Sequence, residues 1–198
     1  MKQTKYALPI FFLTLLLTSL ACTISVGGPD YSNLSPIPVS TEAAENLKEE
    51  IKKSLEAGAA TGEVTLVINE PQITSYLAFR LRSDQNLQQS DKQPLITDPQ
   101  VYLRDGQMKI YGKTRQGMFT ANIGIILSVG VDPVTAKPKI EITSADFGPF
   151  PAPDGLREAL TSAIQEAYTG SLGPVATGFR IQTITIADGL MTIMGRIK

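Results

Sequence analysis

The chain has 198 residues, of which 42% are hydrophobic and 19% charged, and its formal net charge is −1. It contains one cysteine, no histidine and no tryptophan. Without histidine there is no Ser–His or Cys–His catalytic pair, and one cysteine cannot form the usual zinc or transition-metal ligand set. The balanced charge also argues against nucleic acid as a partner, because phosphate binding needs a basic surplus. The composition therefore favours a protein that is not an enzyme and holds no cofactor.

The first 22 residues have the order of a secretory signal. Lys2 and Lys5 precede an apolar run from Ala7 to Leu20, and the single cysteine, Cys22, stands at the expected cleavage point. The segment resembles a bacterial lipoprotein signal, in which the cysteine thiol receives a diacylglycerol and becomes the new N-terminus. This resemblance implies a signal peptide over residues 1–21 and a lipoprotein held by a diacylglyceryl anchor on the outer face of the cytoplasmic membrane.

Two alternatives stay open for this segment. Ser19, Leu20 and Ala21 would also suit an ordinary signal peptidase, which would leave Cys22 as a free thiol. An uncleaved membrane anchor is the second alternative, although its apolar part is short for a span of about 20 residues.

Residues 22–39 are rich in glycine, proline, serine and asparagine. This composition predicts a flexible or extended tether, with polyproline character at Pro36 and Pro38, that reaches at most about 55 Å. The remaining residues, 40–198, are long enough for one folded domain.

An amphipathic helix is predicted to begin at Ser40 or Thr41 and to end at Gly58. Its apolar stripe consists of Ala44, Leu47, Ile51 and Leu55. Because the polar face mixes acidic and basic residues, the pattern favours packing against a sheet over a position on a membrane surface.

The next segment, Gly62–Asn69, alternates as a strand does and leads into a second helix. Asn69 and Gln72 have capping-box spacing, and Ile73, Leu77 and Leu81 form the apolar stripe of this helix. The polar segment Ser83–Gln93 is predicted to be a loop.

Strands dominate the following part of the chain. Asp105-Gly106 predicts a tight hairpin turn between Val101–Leu103 and Met108–Lys113. From Phe119 to Val131 every second residue is apolar, which predicts one long strand that Gly124 and Gly130 allow to bend. Ile140 and Ile142 are expected to pair back against it.

A third helix is predicted from Asp154 to Thr169, where Asp154 and Glu158 are better explained as an N-cap and a solvated helix position than as catalytic carboxylates. A closing hairpin turns at Asp188-Gly189. The whole pattern predicts an α+β fold, with a curved, mostly antiparallel sheet against two or three amphipathic helices.

The two Asp-Gly hairpins resemble each other. Leu103–Lys113 and Ile186–Arg196 share Asp, Gly, Met, Ile and Gly at equal offsets. Convergence on a common turn is one explanation, and duplication of a strand–turn–strand unit is the other.

The order of these elements resembles a known group of secreted bacterial proteins. The helix at Pro71–Leu77, the hairpin VYLRDGQMKIYG, the long apolar strand and the link SADFGPFPAPDGLREAL are similar to YpmS-like and LmeA-like proteins of the tubular lipid-binding (TULIP) type. The resemblance implies a curved sheet wrapped along a helix, with an apolar groove for acyl chains.

The groove would be lined by apolar residues of the long strand, of two helices and of the proline-rich link. These are Ile73, Leu77, Phe119, Ile123, Ile125, Leu127, Phe150, Leu156, Leu160 and Ile164. The alternative for Phe150 is a rigid crossing that packs its ring on the core. The alternative for the whole protein is a structural lipoprotein that contacts another envelope protein.

Overall fold

The structure, a computed structural model, describes residues 24–87, 96–132, 138–150 and 178–197. The fold is α+β with a strongly curled, mostly antiparallel sheet that forms half a barrel, as predicted. The helices in the described ranges are α1 (Thr41–Thr61) and α2 (Glu70–Leu87). The strands are β1 (Ile24–Ser25), β2 (Glu63–Asn69), β3 (Thr97–Arg104), β4 (Gln107–Gln116), β5 (Phe119–Val131), β6 (Pro138–Asp146), β7 (Phe179–Ala187) and β8 (Leu190–Ile197). The predicted signal peptide, Cys22 and the predicted helix at 154–169 lie outside the described residues.

The strands of the described ranges form a five-stranded and a three-stranded sheet. In the first, β5 pairs with β4, β4 pairs with β3, and both β1 and β6 pair with β5. Because β4 occupies one edge of β5, β1 and β6 share the other edge, at opposite ends of the strand. In the second sheet β8 lies between β2 and β7. All pairs are antiparallel except β1 with β5.

Helix α1 begins as predicted and ends later than predicted. The Ser40 hydroxyl caps it by accepting the Ala43 N–H at 3.1 Å. Gly58 does not end the helix; Gly62 does, with a φ of 77° and its N–H donated to the Gly58 carbonyl. Gly58 lies inside the helix, at a position where a Cβ would lie only 2.2 Å from a methyl of Val64. The glycine therefore serves close helix–strand packing.

The apolar stripe of α1 packs on the rest of the fold. Leu47 is buried against Ile68, and Leu55 packs beside Val64. Both partners belong to β2, so the helix lies on the sheet as its periodicity predicted.

The predicted capping box joins β2 to α2. The Asn69 N–H donates to the side-chain carbonyl of Gln72, and the Gln72 N–H donates to that of Asn69, both at 2.9 Å. The loop predicted from Ser83 is wrong at its start, since α2 continues to Leu87.

Both Asp-Gly turns have the predicted geometry. Asp105 and Gly106 have φ values of 57° and 72°, and Asp188 and Gly189 have 51° and 80°. Two successive positive φ angles are typical of the type I′ turn, which suits the twist of a hairpin.

The likeness of the two hairpins extends beyond their turns. In the first, a Cβ on Gly112 would lie 2.7 Å from Ile96, and in the second a Cβ on Gly195 would lie 2.4 Å from Phe179. Gly112 thus makes room for the residue just before β3, and Gly195 for the first residue of β7. The register also shifts near the start of the first strand in each hairpin. When the two hairpins are aligned, these glycines and register shifts fall at equivalent positions. A duplication of the strand–turn–strand unit would explain this correspondence.

Candidate functional site

The site expected to bind an apolar ligand lies on the inner face of the five-stranded sheet, which is the face that packs against α2. On β5 this face carries Ile123, Ile125 and Leu127, all buried in one core cluster. From α2, Ile73 and Leu77 pack against the same cluster. The structure therefore brings five of the predicted groove residues together, and it does so as contacting side chains of a packed core.

This apolar face opens toward the C-terminal end of β5. Ile123 has 0% of its surface exposed, whereas Val129 and Val131, further along the same face, are half-buried. On the neighbouring strand β6, Ile142 lies opposite Leu127 and is 50% exposed. The apolar surface that solvent can reach on the inner face is thus centred on β6.

The other predicted groove residues lie elsewhere. Phe119 begins β5 and is exposed at the far end of the strand. Phe150 is half-buried in the turn that follows β6, and its N–H donates to the Phe147 carbonyl. Phe147 is the aromatic residue of this link that joins the core. Leu156, Leu160 and Ile164 lie outside the described residues.

Residues 24–39, which we call the N-terminal strap, first pair with the edge of β5 and then cover the outer face of the sheet. The strap first pairs with β5: the Ile24 N–H donates to the Met118 carbonyl at 3.0 Å, and Val26 donates to Thr120 at 2.9 Å. The Asn122 N–H then donates to the Gly27 carbonyl at 2.8 Å. Residues 24–39, which the sequence predicts to be a flexible or extended tether, thus begin with backbone pairing to the sheet at Ile24, Val26 and Gly27.

Aromatic rings hold the middle of the strap. The ring of Tyr31 stacks on that of Tyr111, with centroids 5.0 Å apart, and its hydroxyl donates to the Gly112 carbonyl. Gly124 lies opposite Tyr111 in the sheet, and a Cβ on it would lie 3.1 Å from the Pro29 ring. The absence of a side chain at Gly124 therefore makes room for the strap.

The last part of the strap crosses β3. The Tyr102 hydroxyl donates to the Ser35 carbonyl, and the Gln100 amide both accepts from the Ile37 N–H and donates to the Ile37 carbonyl. The Ser40 N–H donates to the Ser75 hydroxyl, which ties the start of α1 to α2. The sequence signal for these contacts is weak, but two tyrosines on the polar face of the sheet, one of them opposite a glycine, do indicate a covered surface.

Burial between the strap and the sheet changes the pKa values of two tyrosines. The pKa of Tyr31 is raised, first by burial and then by the charge of Asp98. The pKa of Tyr102 is also raised, first by burial and then by Glu70. Both shifts have the same sign because a phenolate loses hydration on burial.

Buried polar side chains outside the strap bind the backbone. Glu70 accepts the Leu103 N–H at 2.7 Å and pairs with the Arg104 guanidinium. The Thr74 hydroxyl accepts the Val101 N–H at 3.0 Å. These groups are engaged in joining α2 to β3, where an unsatisfied backbone N–H would be costly.

Two open depressions lie away from the inner face of β5. One of about 330 Å³ lies between α1 and α2 and is lined by residues such as Ala44, Lys48 and Tyr76. The other, of about 190 Å³, lies where α2 meets β3 and is lined by Ala78, Leu81 and neighbouring residues. The second is smaller than the about 300–1,000 Å³ that ligand pockets commonly reach, and the first lies at the lower end of that range.

The described ranges contain neither a metal-binding cluster nor a membrane-spanning helix. No group of three or more acidic, cysteine or histidine side chains there could hold a metal ion. Neither α1 nor α2 combines the length and the hydropathy that crossing a bilayer requires.

Comparisons of the chain with protein-family models, with curated proteins and with solved structures found no match. The resemblance to the YpmS-like and LmeA-like proteins therefore stays a prediction from the sequence.

Proposed function

We propose that the chain is an extracytoplasmic lipoprotein, anchored through Cys22, whose domain binds a lipid or another apolar ligand on the inner face of its curled sheet. The observation that carries this proposal is the opening of the apolar inner face, from Ile123 in the core to the half-exposed Ile142 on β6. An acyl chain laid on β6 would continue the packed core without displacing it.

The environment of the open end suits an apolar ligand. Val129 and Ile140, which lie opposite each other in the sheet, are half-buried beside the core clusters. Burial of their remaining apolar surface against an acyl chain would contribute about 25 cal/mol for each Å² removed from water. Charged residues of β6, such as Lys139 and Glu141, pair with each other at 2.8 Å.

Binding without catalysis is the second part of the proposal. The buried polar side chains each accept a hydrogen bond that holds elements of the fold together. Glu70 and Thr74 accept from β3, Gln72 accepts from Asn69 at the end of β2, and Ser75 accepts from Ser40 at the start of α1. Side chains engaged in this way support the architecture of the sheet.

The test is native mass spectrometry of the mature chain, extracted in mild detergent from the bacterial membrane. We expect a co-purified apolar molecule in addition to the covalent anchor. The variant Ile142→Asp should lose it, while Val67→Asp, at an exposed apolar position on the three-stranded sheet, should retain it. Wild-type protein that is consistently free of ligand would contradict the proposal.

A second candidate function is the docking of an envelope protein on β6. The observation that favours it is that every residue of the segment Glu141–Asp146 is exposed, and within the described ranges only β5 pairs with β6. Such an edge can accept a strand from a partner. A photo-crosslinker at Thr143 would then capture one protein in cells, while the same group at Glu49 on α1 would not.

A further inference from the structure

Three exposed apolar side chains meet at the tip of the β4–β5 hairpin, and we call them the apolar tip. Ile24 is 47% exposed, Met118 57% and Phe119 41%. They are neighbours in space because Ile24 lies opposite Phe119 in the parallel β1–β5 pair and donates its N–H to the Met118 carbonyl. Large apolar side chains grouped in this way on a surface indicate an interaction site.

The position of the tip along the chain indicates what it contacts. Ile24 follows Cys22 by two residues, and two residues span at most about 7 Å. The polar region on each side of a bilayer is of similar depth, about 5–8 Å. Because β1 is paired with β5, an acylated Cys22 would bring the whole tip to the level of the lipid headgroups.

The charged residue beside the tip also suits a position among the lipid headgroups. Arg115 is the one charged residue between positions 114 and 131, and its guanidinium donates to the Gly117 carbonyl at 2.8 Å. An exposed arginine beside apolar side chains can bind lipid phosphate while the apolar groups enter the interface.

We propose that the apolar tip is a membrane-contact surface, which lies in the headgroup region of the bilayer that holds the anchor. This inference rests on the proposed anchoring through Cys22. It gives the domain a fixed orientation, with the β4–β5 turn toward the lipid and no spacer between anchor and fold.

The absence of tryptophan from the chain gives a direct test, because an introduced indole is then the sole one. The mature acylated chain is reconstituted in vesicles of phosphatidylethanolamine and phosphatidylglycerol, with or without brominated acyl chains. Met118→Trp and Phe119→Trp place the indole at the tip. Met194→Trp is the matched control, since Met194 is 49% exposed on β8, in the other sheet.

We expect blue-shifted emission and several-fold stronger quenching by brominated lipid for both tip variants than for the control. Equal quenching in all three variants, in protein that floats with the vesicles, would overturn the proposed membrane-contact surface. It would not contradict the proposed anchor. A tip indole that is blue-shifted but not quenched would also overturn it, because a second copy or another protein would then cover the tip. Protein that does not float would overturn both proposals.

Discussion

The inner face of the five-stranded sheet is covered by α2 through apolar side chains, whereas the outer face is covered by the strap through tyrosine rings, hydrogen bonds and a glycine contact. On the inner face Ile123 and Ile125 are fully buried. On the outer face Tyr31 and Tyr111 stack but stay half-buried. Since burial of apolar area dominates folding, the inner face supplies stability, and the outer face fixes where the N-terminus lies.

The two faces are therefore expected to become exposed at different costs in free energy. Exposing the inner face requires global unfolding, whereas the strap holds few buried apolar groups besides Ile37 and can detach locally. Changes to each face are therefore expected to differ in size and in the region that they affect.

The largest effect is expected from Ile123→Ala on the inner face. The residue is buried and its contacts are with the main core cluster, so truncation should lower the free energy of unfolding by about 3 kcal/mol. Ile126→Ala, on the outer face of the same strand and only half-buried, should cost less than half as much. Urea denaturation measures both, and equal losses would contradict the assignment of the two faces.

A smaller effect is expected from Gly124→Val, which places a side chain beneath the strap. It should cost about 2 kcal/mol, because the added atoms meet Pro29 and Tyr111 at about 3 Å. Hydrogen exchange at the amides of Val26 and Asn122 should become faster, since the hydrogen bonds that these N–H groups donate depend on the docked strap. Gly130→Val is the matched control, because a Cβ there meets nothing within 4 Å. If Gly124→Val leaves both amides protected, the strap does not depend on this contact.

Removing the stacked ring should cost less again. Tyr31→Ala should lower stability by about 1 kcal/mol, which is typical of an aromatic pair of this kind. Tyr31→Phe keeps the ring and loses the hydroxyl bond to Gly112, so its effect should be smaller. Thermal unfolding with exchange at strap amides measures both, and a larger loss for the phenylalanine variant would contradict the stacking argument.

The smallest effect concerns pH. Because burial raises the pKa of Tyr31, its contribution to strap docking is fully present below the ordinary pKa of about 10. That contribution is lost as the pH rises through the higher pKa of the folded protein. Ultraviolet difference absorbance should show that Tyr31 ionises at a higher pH in the wild type than in Gly124→Val. An unchanged titration in that variant, together with strap amides that exchange faster, would show that the strap does not bury the hydroxyl.

The inner face could be predicted from the sequence because a strand with one buried side alternates. The bounds of β5 and the partners of Ile140 and Ile142 follow from this period. The two Asp-Gly turns follow from the positive φ angles that a tight hairpin needs.

The outer face could not be predicted in the same way. The glycines, prolines and asparagine of the strap are typical of a linker, and its partners Gln100, Tyr102 and Tyr111 occupy positions that alternation assigns to solvent. The prediction that Gly58 ends α1 is wrong for a similar reason, since a glycine that ends a helix and a glycine that makes room for a neighbouring side chain look alike in a sequence.

The strap also sets an order of events in time. Its hydrogen bonds to the sheet join residues 63 to 95 positions apart, for example Ile37 with Gln100 and Gly27 with Asn122. Such distant pairings form only after the strands that receive them have been assembled, so the part of the chain that is synthesised first docks last. During export the N-terminal segment would thus remain accessible while the sheet folds, and the proposed acylation of Cys22 could be complete before docking draws the sheet toward the membrane.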